Sequence, residues 1–247
     1  MLLDFSNIQL IFIALIFIWS GFVRSGLGFG GAALGLPLML LVYDQPIFWL
    51  PIIGAHLLFF SALTLRTRFR NVGWPYLLRS MIIIVPSAVA GVFGLISLPN
   101  HVMVIFIYSV TLFYALMWLF SITIHSSNRW VDRFLLATGG YIAGTSLTGA
   151  PLIVAVYMRN IAAQQLRNTL LVLWFVLVSI KMATFATFSV DLHIDIALML
   201  LPVAAIGHYF GLKAHDIILE KDLLFKRILG GLLIVICVFG LWKILLI

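Results

Sequence analysis

Ten apolar segments, separated by short connectors that carry most of the charge, limit what this chain can form. Of its 247 residues, 64% are hydrophobic and 9% are charged, whereas soluble domains have roughly 45–50% apolar and about 25% charged residues. A helix of about 20 apolar residues is long enough to cross the hydrocarbon core of a bilayer. The composition therefore predicts an all-α polytopic membrane protein, since only helices and closed barrels satisfy the backbone within lipid.

The segments form two halves that repeat the same order at a distance of about 119 residues, a sign of internal duplication. Pro86 and Gly91 in the fourth segment, for example, recur as Pro202 and Gly207 in the ninth. We place the repeats at residues 1–124 and 125–247 of one integrated transmembrane domain. The predicted segments are 8–23, 27–43, 48–65, 77–97, 101–123, 131–143, 146–158, 168–189, 196–213 and 227–247. The first two are short for a crossing, so we expect a helical hairpin or a re-entrant loop there, and eight to ten spans in all.

The charges of the connectors predict that the two halves have opposite orientations in the membrane. After the third segment the chain carries Arg66, Arg68, Arg70 and Arg79, whereas the equivalent connector of the second half carries Asp191, His193 and Asp195. Lys and Arg are concentrated in cytoplasmic connectors. With the second half inverted, nearly all basic residues fall on one side, and both termini are predicted to be periplasmic.

Two glycine-rich elements, at residues 21–31 and 140–151, interrupt apolar segments at equivalent places in the two halves. Paired breaks of this kind indicate the substrate site of a transporter, because freed backbone and helix N-termini can face a ligand. Inverted repeats would bring residues 28–31 and 148–151 together near the membrane midplane. The predicted substrate-binding residues of the two elements are Arg24, Ser25, Gly26, Gly28, Gly30, Gly31, Thr145, Ser146, Thr148 and Gly149.

Close helix packing is the alternative explanation for these glycines, because several of them are spaced four residues apart. For Gly207 and Gly211, which have the same spacing, packing is the favoured interpretation. Arg24 has an alternative too, since a basic residue at a cytoplasmic helix end follows from the positive-inside rule alone.

Lys181 is the charged residue that lies deepest in a predicted segment, ten positions before Asp191. A cation at such a depth usually faces a bundle interior or a water-filled cavity, so we include it among the predicted anion-binding residues. The alternative is a lysine whose side chain reaches the membrane interface. His56 and His208 are also predicted within segments, where each could relay a proton or form an interhelical hydrogen bond.

No metal site, cofactor or catalytic group is predicted. The six histidines show no metal-ligand spacing, and Cys237 is the single cysteine. A net charge of +7 is distributed over connectors rather than along one face, so a nucleic acid partner is not expected.

The order of several motifs resembles the TauE/SafE sulfite exporter family over nearly the whole chain. These motifs are the glycine-rich element at 21–31, the second element ending Gly149-Ala150-Pro151, Asn71-Val72-Gly73-Trp74 before the helix of Pro86, and Lys226-Arg227-Ile228-Leu229-Gly230-Gly231. The resemblance implies a carrier in the prokaryotic inner membrane for sulfite, organosulfonates or related small anions, usually inferred to export them.

We therefore expect a secondary transporter rather than an enzyme, with the lipid bilayer and a small anionic substrate as its partners. The substrate is expected to be sulfite, an organosulfonate or a related sulfur-containing or carboxylate anion, and a homodimer is compatible with the sequence. Two alternatives stay open. One is a carrier of a neutral or cationic solute, and the other is a membrane-embedded assembly or signalling subunit that uses its glycine faces only to pack.

The predicted topology can be measured by labelling single cysteines in intact cells. Because Arg68 lies in a basic connector and Asp191 in an acidic one, an impermeant thiol reagent should label a cysteine at position 191 and leave one at position 68 unlabelled. Labelling at position 68 together with protection at position 191 would overturn the inverted orientation.

Overall fold

The computed structural model describes residues 5–27, 31–68, 71–122, 124, 128–220 and 222–246, and over these ranges it contains ten α-helices and no strand. Each predicted segment corresponds to one helix, which confirms the all-α prediction. The helices are α1 (Asn7–Leu27), α2 (Gly31–Val42), α3 (Pro46–Arg68), α4 (Trp74–Ser97), α5 (Asn100–Leu119), α6 (Arg129–Ser146), α7 (Ala150–Asn160), α8 (Ala163–Thr187), α9 (Ile194–Glu220) and α10 (Asp222–Leu245).

Seven helices in the described part of the chain are long and apolar enough to cross a membrane, namely α1, α3, α4, α5, α8, α9 and α10. Their outer surfaces are apolar as well, with Ile82, Met199 and Val235 each at least 69% exposed. Large apolar side chains displayed in this number suit lipid rather than water as the surrounding medium. The protein is therefore a polytopic membrane protein.

The remaining three helices are shorter or more polar. Helices α2 and α7 have 12 and 11 residues, which at about 1.5 Å per residue is well below the roughly 30 Å of a hydrocarbon core. Helix α6 has 18 residues and begins with Arg129, Asp132 and Arg133. It is long enough for an eighth crossing, whereas α2 and α7 reach only part of the way.

The short helices turn back beside the long helices that precede them. Asp132 in the first turn of α6 forms an ion pair with Arg159 in the last turn of α7, at 2.7 Å between Oδ2 and an Nη atom. Phe5, just before α1, contacts Tyr43, just after α2, with 5.8 Å between ring centroids. The pairs α1–α2 and α6–α7 are therefore helical hairpins, one of the two arrangements expected, and each returns the chain to the side from which it entered.

The helices group into two compact units. Unit 1 consists of Met1–Ile52, Pro99–Ile122 and His193–Ile247, and unit 2 consists of Ile53–Leu98 and Thr123–Leu192. Unit 1 thus contains α1, α2, α5, α9 and α10, and unit 2 contains α4, α6, α7, α8 and most of α3. Each unit takes helices from both sequence halves. The repeat boundary after residue 124 and the inverted orientation of the repeats stay predictions.

In unit 1, α1 and α9 pack along each other so closely that their backbones touch. A Cβ atom at Gly207 would overlap the carbonyl oxygen of Ile18, and one at Gly211 would overlap that of Phe22. Only glycine leaves room for this approach. The packing interpretation of Gly207 and Gly211 is confirmed.

Unit 2 contains a helix pair of the same kind, formed by α4 and α6. A Cβ atom at Gly144 would overlap the carbonyl oxygen of Ala88, and one at Gly91 would overlap that of Tyr141. Gly91 and Gly207 are the two glycines that the sequence repeat matched. Both follow a proline within their helix, Pro86 in α4 and Pro202 in α9.

The contribution of this close approach to stability can be measured with two alanine substitutions. Gly144→Ala should lower the free energy of unfolding by about 1–3 kcal/mol, the usual cost of overpacking, because the new methyl group meets the Ala88 carbonyl. Gly231→Ala in α10 is the control, since nothing lies within 4 Å of a Cβ there. Replacing glycine by alanine in a helix interior should stabilise the protein by up to about 1 kcal/mol. Equal melting temperatures for the two variants in detergent would contradict the packing account.

Candidate functional site

The break between α6 and α7 occupies residues 147–149 in unit 2. Helix α6 ends at Ser146, and Leu147 takes a left-handed conformation with φ 60°, its N–H donating to the carbonyl of Ala143 at 3.0 Å. Helix α7 begins at Ala150, directly after Gly149, with a proline in its first turn. The left-handed residue stops α6, and the proline suits the start of α7 because the first amides of a helix have no intrahelical acceptor.

Gly149 holds α7 against α6. A Cβ atom at this position would overlap the carbonyl oxygen of Gly139 and lie 2.7 Å from the backbone nitrogen of Ala143. The contact explains why glycine is needed here without a ligand, which supports the packing interpretation of this residue. Its role in binding a substrate stays a prediction.

Lys181 on α8 reaches the end of α6. The side chain is 2% exposed, and its Nζ donates to the carbonyl oxygens of Gly144 at 2.7 Å and Thr145 at 3.1 Å. The ring of Phe185 lies 5.5 Å away. Carbonyls in the last turn of a helix lack intrahelical donors and carry partial negative charge. Lys181 therefore does not reach the membrane interface, the alternative that its sequence position left open.

The three hydroxyl groups of the second element are bonded within the element. Thr145 donates to the carbonyls of Tyr141 and Ile142, and Ser146 donates to that of Ile142 at 3.0 Å. Because the hydrogen of Ser146 is used in this way, Thr148 donates to Ser146 across 2.6 Å. All three side chains are at most 1% exposed. The three hydroxyl groups therefore stabilise the break. To donate to an anion, each would first have to give up its hydrogen bond within the element.

The first turn of α7 supplies the other donors at the break. The amides of Gly149, Ala150 and Leu152 have no acceptor within α7, as for the start of any α-helix. They carry the positive end of the α7 dipole. Lys181 and these amides thus provide N–H donors on either side of the three-residue break.

The first glycine-rich element begins in the last turns of α1 in unit 1, and its residues Gly28 and Gly30 lie outside the described residues. Gly31 begins α2, and a Cβ atom there would lie 2.8 Å from Cβ of Arg24. Ser20 donates to the carbonyl of Gly31 at 3.1 Å. Arg24 is in the last turn of α1. The start of α2 is therefore held beside the last two turns of α1, as the start of α7 is held beside α6.

Two histidines of α9 contact the end of α1. His208 Nδ1 lies 2.5 Å from the hydroxyl oxygen of Ser25, and His215 Nδ1 lies 2.6 Å from the carbonyl oxygen of Gly26. The interhelical hydrogen bond expected for His208 is confirmed. His56 on α3 is 3% exposed and meets the ring of Phe60 edge-on. A proton relay through His56 or His208 stays a prediction.

Sequence reasoning missed two contacts of these sites. His215 lies seven residues after His208, which in a helix places both on the same face, so their spacing was a usable signal. The pairing of Asp132 with Arg159 could have been inferred from the hairpin, because the two residues carry opposite charges at its two open ends, in the first turn of α6 and the last turn of α7. The two glycine-rich elements belong to different units, and their predicted meeting stays a prediction.

Comparison with known proteins gives one clear result. No curated protein and no solved structure matches the chain. The sequence model of the sulfite exporter TauE/SafE family matches residues 13–240, nearly the whole chain, and includes both glycine-rich elements and all ten helices in whole or in part. On this match the chain belongs to the sulfite exporter TauE/SafE family.

Proposed function

We propose that this protein is a secondary transporter that exports a small anion across a prokaryotic inner membrane. The substrate class is sulfite, an organosulfonate or a related sulfur-containing or carboxylate anion. Membership of the TauE/SafE family supports transport rather than enzymatic activity. The site that we assign to the anion is the break between α6 and α7 in unit 2.

The burial of the Lys181 side chain, whose Nζ donates to two carbonyls, is the observation that carries this proposal. Burying an ion costs several kcal/mol unless it is compensated, and the end of a helix supplies roughly half an elementary charge. The carbonyls of Gly144 and Thr145 thus offset part of the lysine charge. They also use two of its three N–H donors, so one donor is left for a further acceptor.

The acidic residues of unit 2 lie far from the end of α6. Asp132 is in the first turn of α6, about 20 Å along the helix from Thr145, and pairs with Arg159. Asp191 is exposed and follows the end of α8. A substrate anion at the break is therefore the natural partner for the remaining positive charge, which the first amides of α7 reinforce.

Export of an anion from a negative-inside cell needs no other energy source. The membrane potential contributes about 2.3 kcal/mol per charge per 100 mV in the outward direction. The orientation predicted from the connectors, with Arg66 and Lys226 on the cytoplasmic side and both termini in the periplasm, belongs to the same proposal.

Flux measurements separate this function from its alternatives. Purified protein in proteoliposomes should release labelled sulfite or a labelled organosulfonate down a concentration gradient, faster when the potential drives anions outward. A carrier of neutral or cationic solutes would leave both anions inside. The close glycine contacts also suit an assembly or signalling subunit, and such a protein would give no flux with any solute.

Substitutions of Lys181 should separate its charge from its hydrogen bonds. Lys181→Ala leaves two buried carbonyls without a donor, and it should destabilise the protein by about 1–3 kcal/mol as well as abolish transport. Lys181→Gln keeps N–H donors without the charge, so it should restore stability but not transport. Lys181→Arg should retain part of both. Melting temperature and anion flux are the two measurements.

Lys213 provides the matched control. It is an exposed lysine of α9 whose Nζ lies 4.5 Å from the ring centroid of Tyr209. Lys213→Gln should leave transport and stability at their wild-type values. If Lys181→Gln also transports at the wild-type rate, the charge of Lys181 has no part in binding the anion, and the site assignment fails.

A further inference from the structure

Helix α8 carries a second nitrogen donor on the same face as Lys181. Trp174 lies seven residues before Lys181, which in an α-helix is two turns, so the two side chains leave the same face. Their Cα atoms are about 10 Å apart along the helix axis. Leu177 and Val178 lie between them on this face and are buried as well. The face of α8 that reaches the end of α6 through Lys181 therefore also includes an indole ring.

The N–H of this indole is buried without an acceptor. Trp174 is 6% exposed, and its Nε1 has no hydrogen-bond partner among the described residues. The side chains one turn away along α8 are those of Leu170, Leu171, Leu177 and Val178, none of which can accept a hydrogen bond. A buried donor without an acceptor costs free energy, and binding of an acceptor recovers it. Because the indole nitrogen donates and does not accept, the partner that suits it is an acceptor and not a cation.

The indole lies at the level where α7 begins. Helices α7 and α8 are joined by two residues, Ile161 and Ala162, and they pack against each other, as antiparallel neighbours do. Ala150 is about 15 Å along α7 from its last residue, and Trp174 is about 17 Å along α8 from its first residue. Counted from the shared connector, Trp174 is thus level with the first turn of α7.

The segment of α8 from Trp174 to Lys181 therefore passes the break between α6 and α7. At one end of this segment, Lys181 donates to the carbonyls of Gly144 and Thr145 in the last turn of α6. At the other end, Trp174 is level with amides in the first turn of α7 that have no intrahelical acceptor. The lysine, the indole and these amides are all donors, which suits a ligand that has several oxygen acceptors.

We propose that the indole N–H of Trp174 donates a hydrogen bond to an oxygen of the substrate anion at this break. The inference rests on the proposed function and adds a binding residue to the same site. Sulfite and sulfonates each carry three oxygens that point in different directions, so one anion can accept from Trp174 and from Lys181 together. Trp174 is neutral, so it orients the anion without the desolvation cost of burying a second cation.

The test removes the N–H and keeps the shape of the side chain. Benzothienylalanine, in which sulfur replaces the indole N–H, can be introduced at position 174 by suppression of a stop codon. The affinity for methanesulfonate is then measured by equilibrium exchange in proteoliposomes. Replacing Trp174 should weaken binding roughly tenfold or more, the usual effect of losing a hydrogen bond to a charged acceptor. Without anion, the melting temperature in detergent should stay at the wild-type value, because no internal hydrogen bond is lost.

Trp49 provides the matched control in unit 1. It is fully buried, and its Nε1 donates to the carbonyl oxygen of Tyr43 at 2.7 Å. The same replacement at position 49 should lower the melting temperature and leave the affinity for methanesulfonate unchanged. The two tryptophans therefore separate an N–H that stabilises the fold from one that binds the substrate.

Three outcomes contradict the assignment. Wild-type affinity with benzothienylalanine at position 174 overturns the role of Trp174 and leaves the transport function intact. A melting temperature lowered by as much as at position 49 means that the indole has an internal acceptor, which overturns the role of Trp174 too. Wild-type protein that exchanges neither methanesulfonate nor sulfite overturns the transport function and the Trp174 inference together. Should the analogue not be incorporated, Trp174→Phe is the second variant without the N–H and should show the same loss of affinity.

Discussion

Helix ends within membrane depth need donors and acceptors that water would supply elsewhere, and much of this structure follows from that need. Helix α6 ends in a buried turn, and the carbonyls of Gly144 and Thr145 accept from Lys181. Gly26 lies in the last turn of α1, and its carbonyl accepts from His215. A carbonyl without a donor in hydrocarbon would cost several kcal/mol. The side chains at the breaks thus make a broken helix possible before they take part in any transport.

Close backbone contact is the second requirement of the broken helices. Each long helix that precedes a break packs against a glycine-containing partner, α1 against α9 and α6 against α4. In a bilayer, apolar side chains gain little from leaving lipid, so helix association depends on close packing. The glycine contacts hold the preceding helix against its partner. The break itself can then be formed by a few residues such as Leu147 and Gly149.

The elements of this fold were predictable from the sequence, but their tertiary partners were not. Apolar runs identify all ten helices, and glycine and proline identify the breaks. The depth of Lys181 was predictable from its position, but its contact with Gly144 depends on which helices meet in space. The same holds for His208 and Ser25, which are 183 residues apart. The second element illustrates a further difficulty. Gly149 allows close helix packing, although we expected it to face a ligand, and both roles select the same residue type.

The ion pair at the base of the α6–α7 hairpin has a consequence for how the chain enters the membrane. Helix α7, with 11 residues, is too short to insert as an independent span. Asp132 and Arg159 neutralise each other at the two open ends of the hairpin, beside the further charges Arg129 and Arg133. Helices α6 and α7 therefore have to enter the membrane together, as one hairpin. Biogenesis, and not transport alone, therefore constrains which residues can stand at its base.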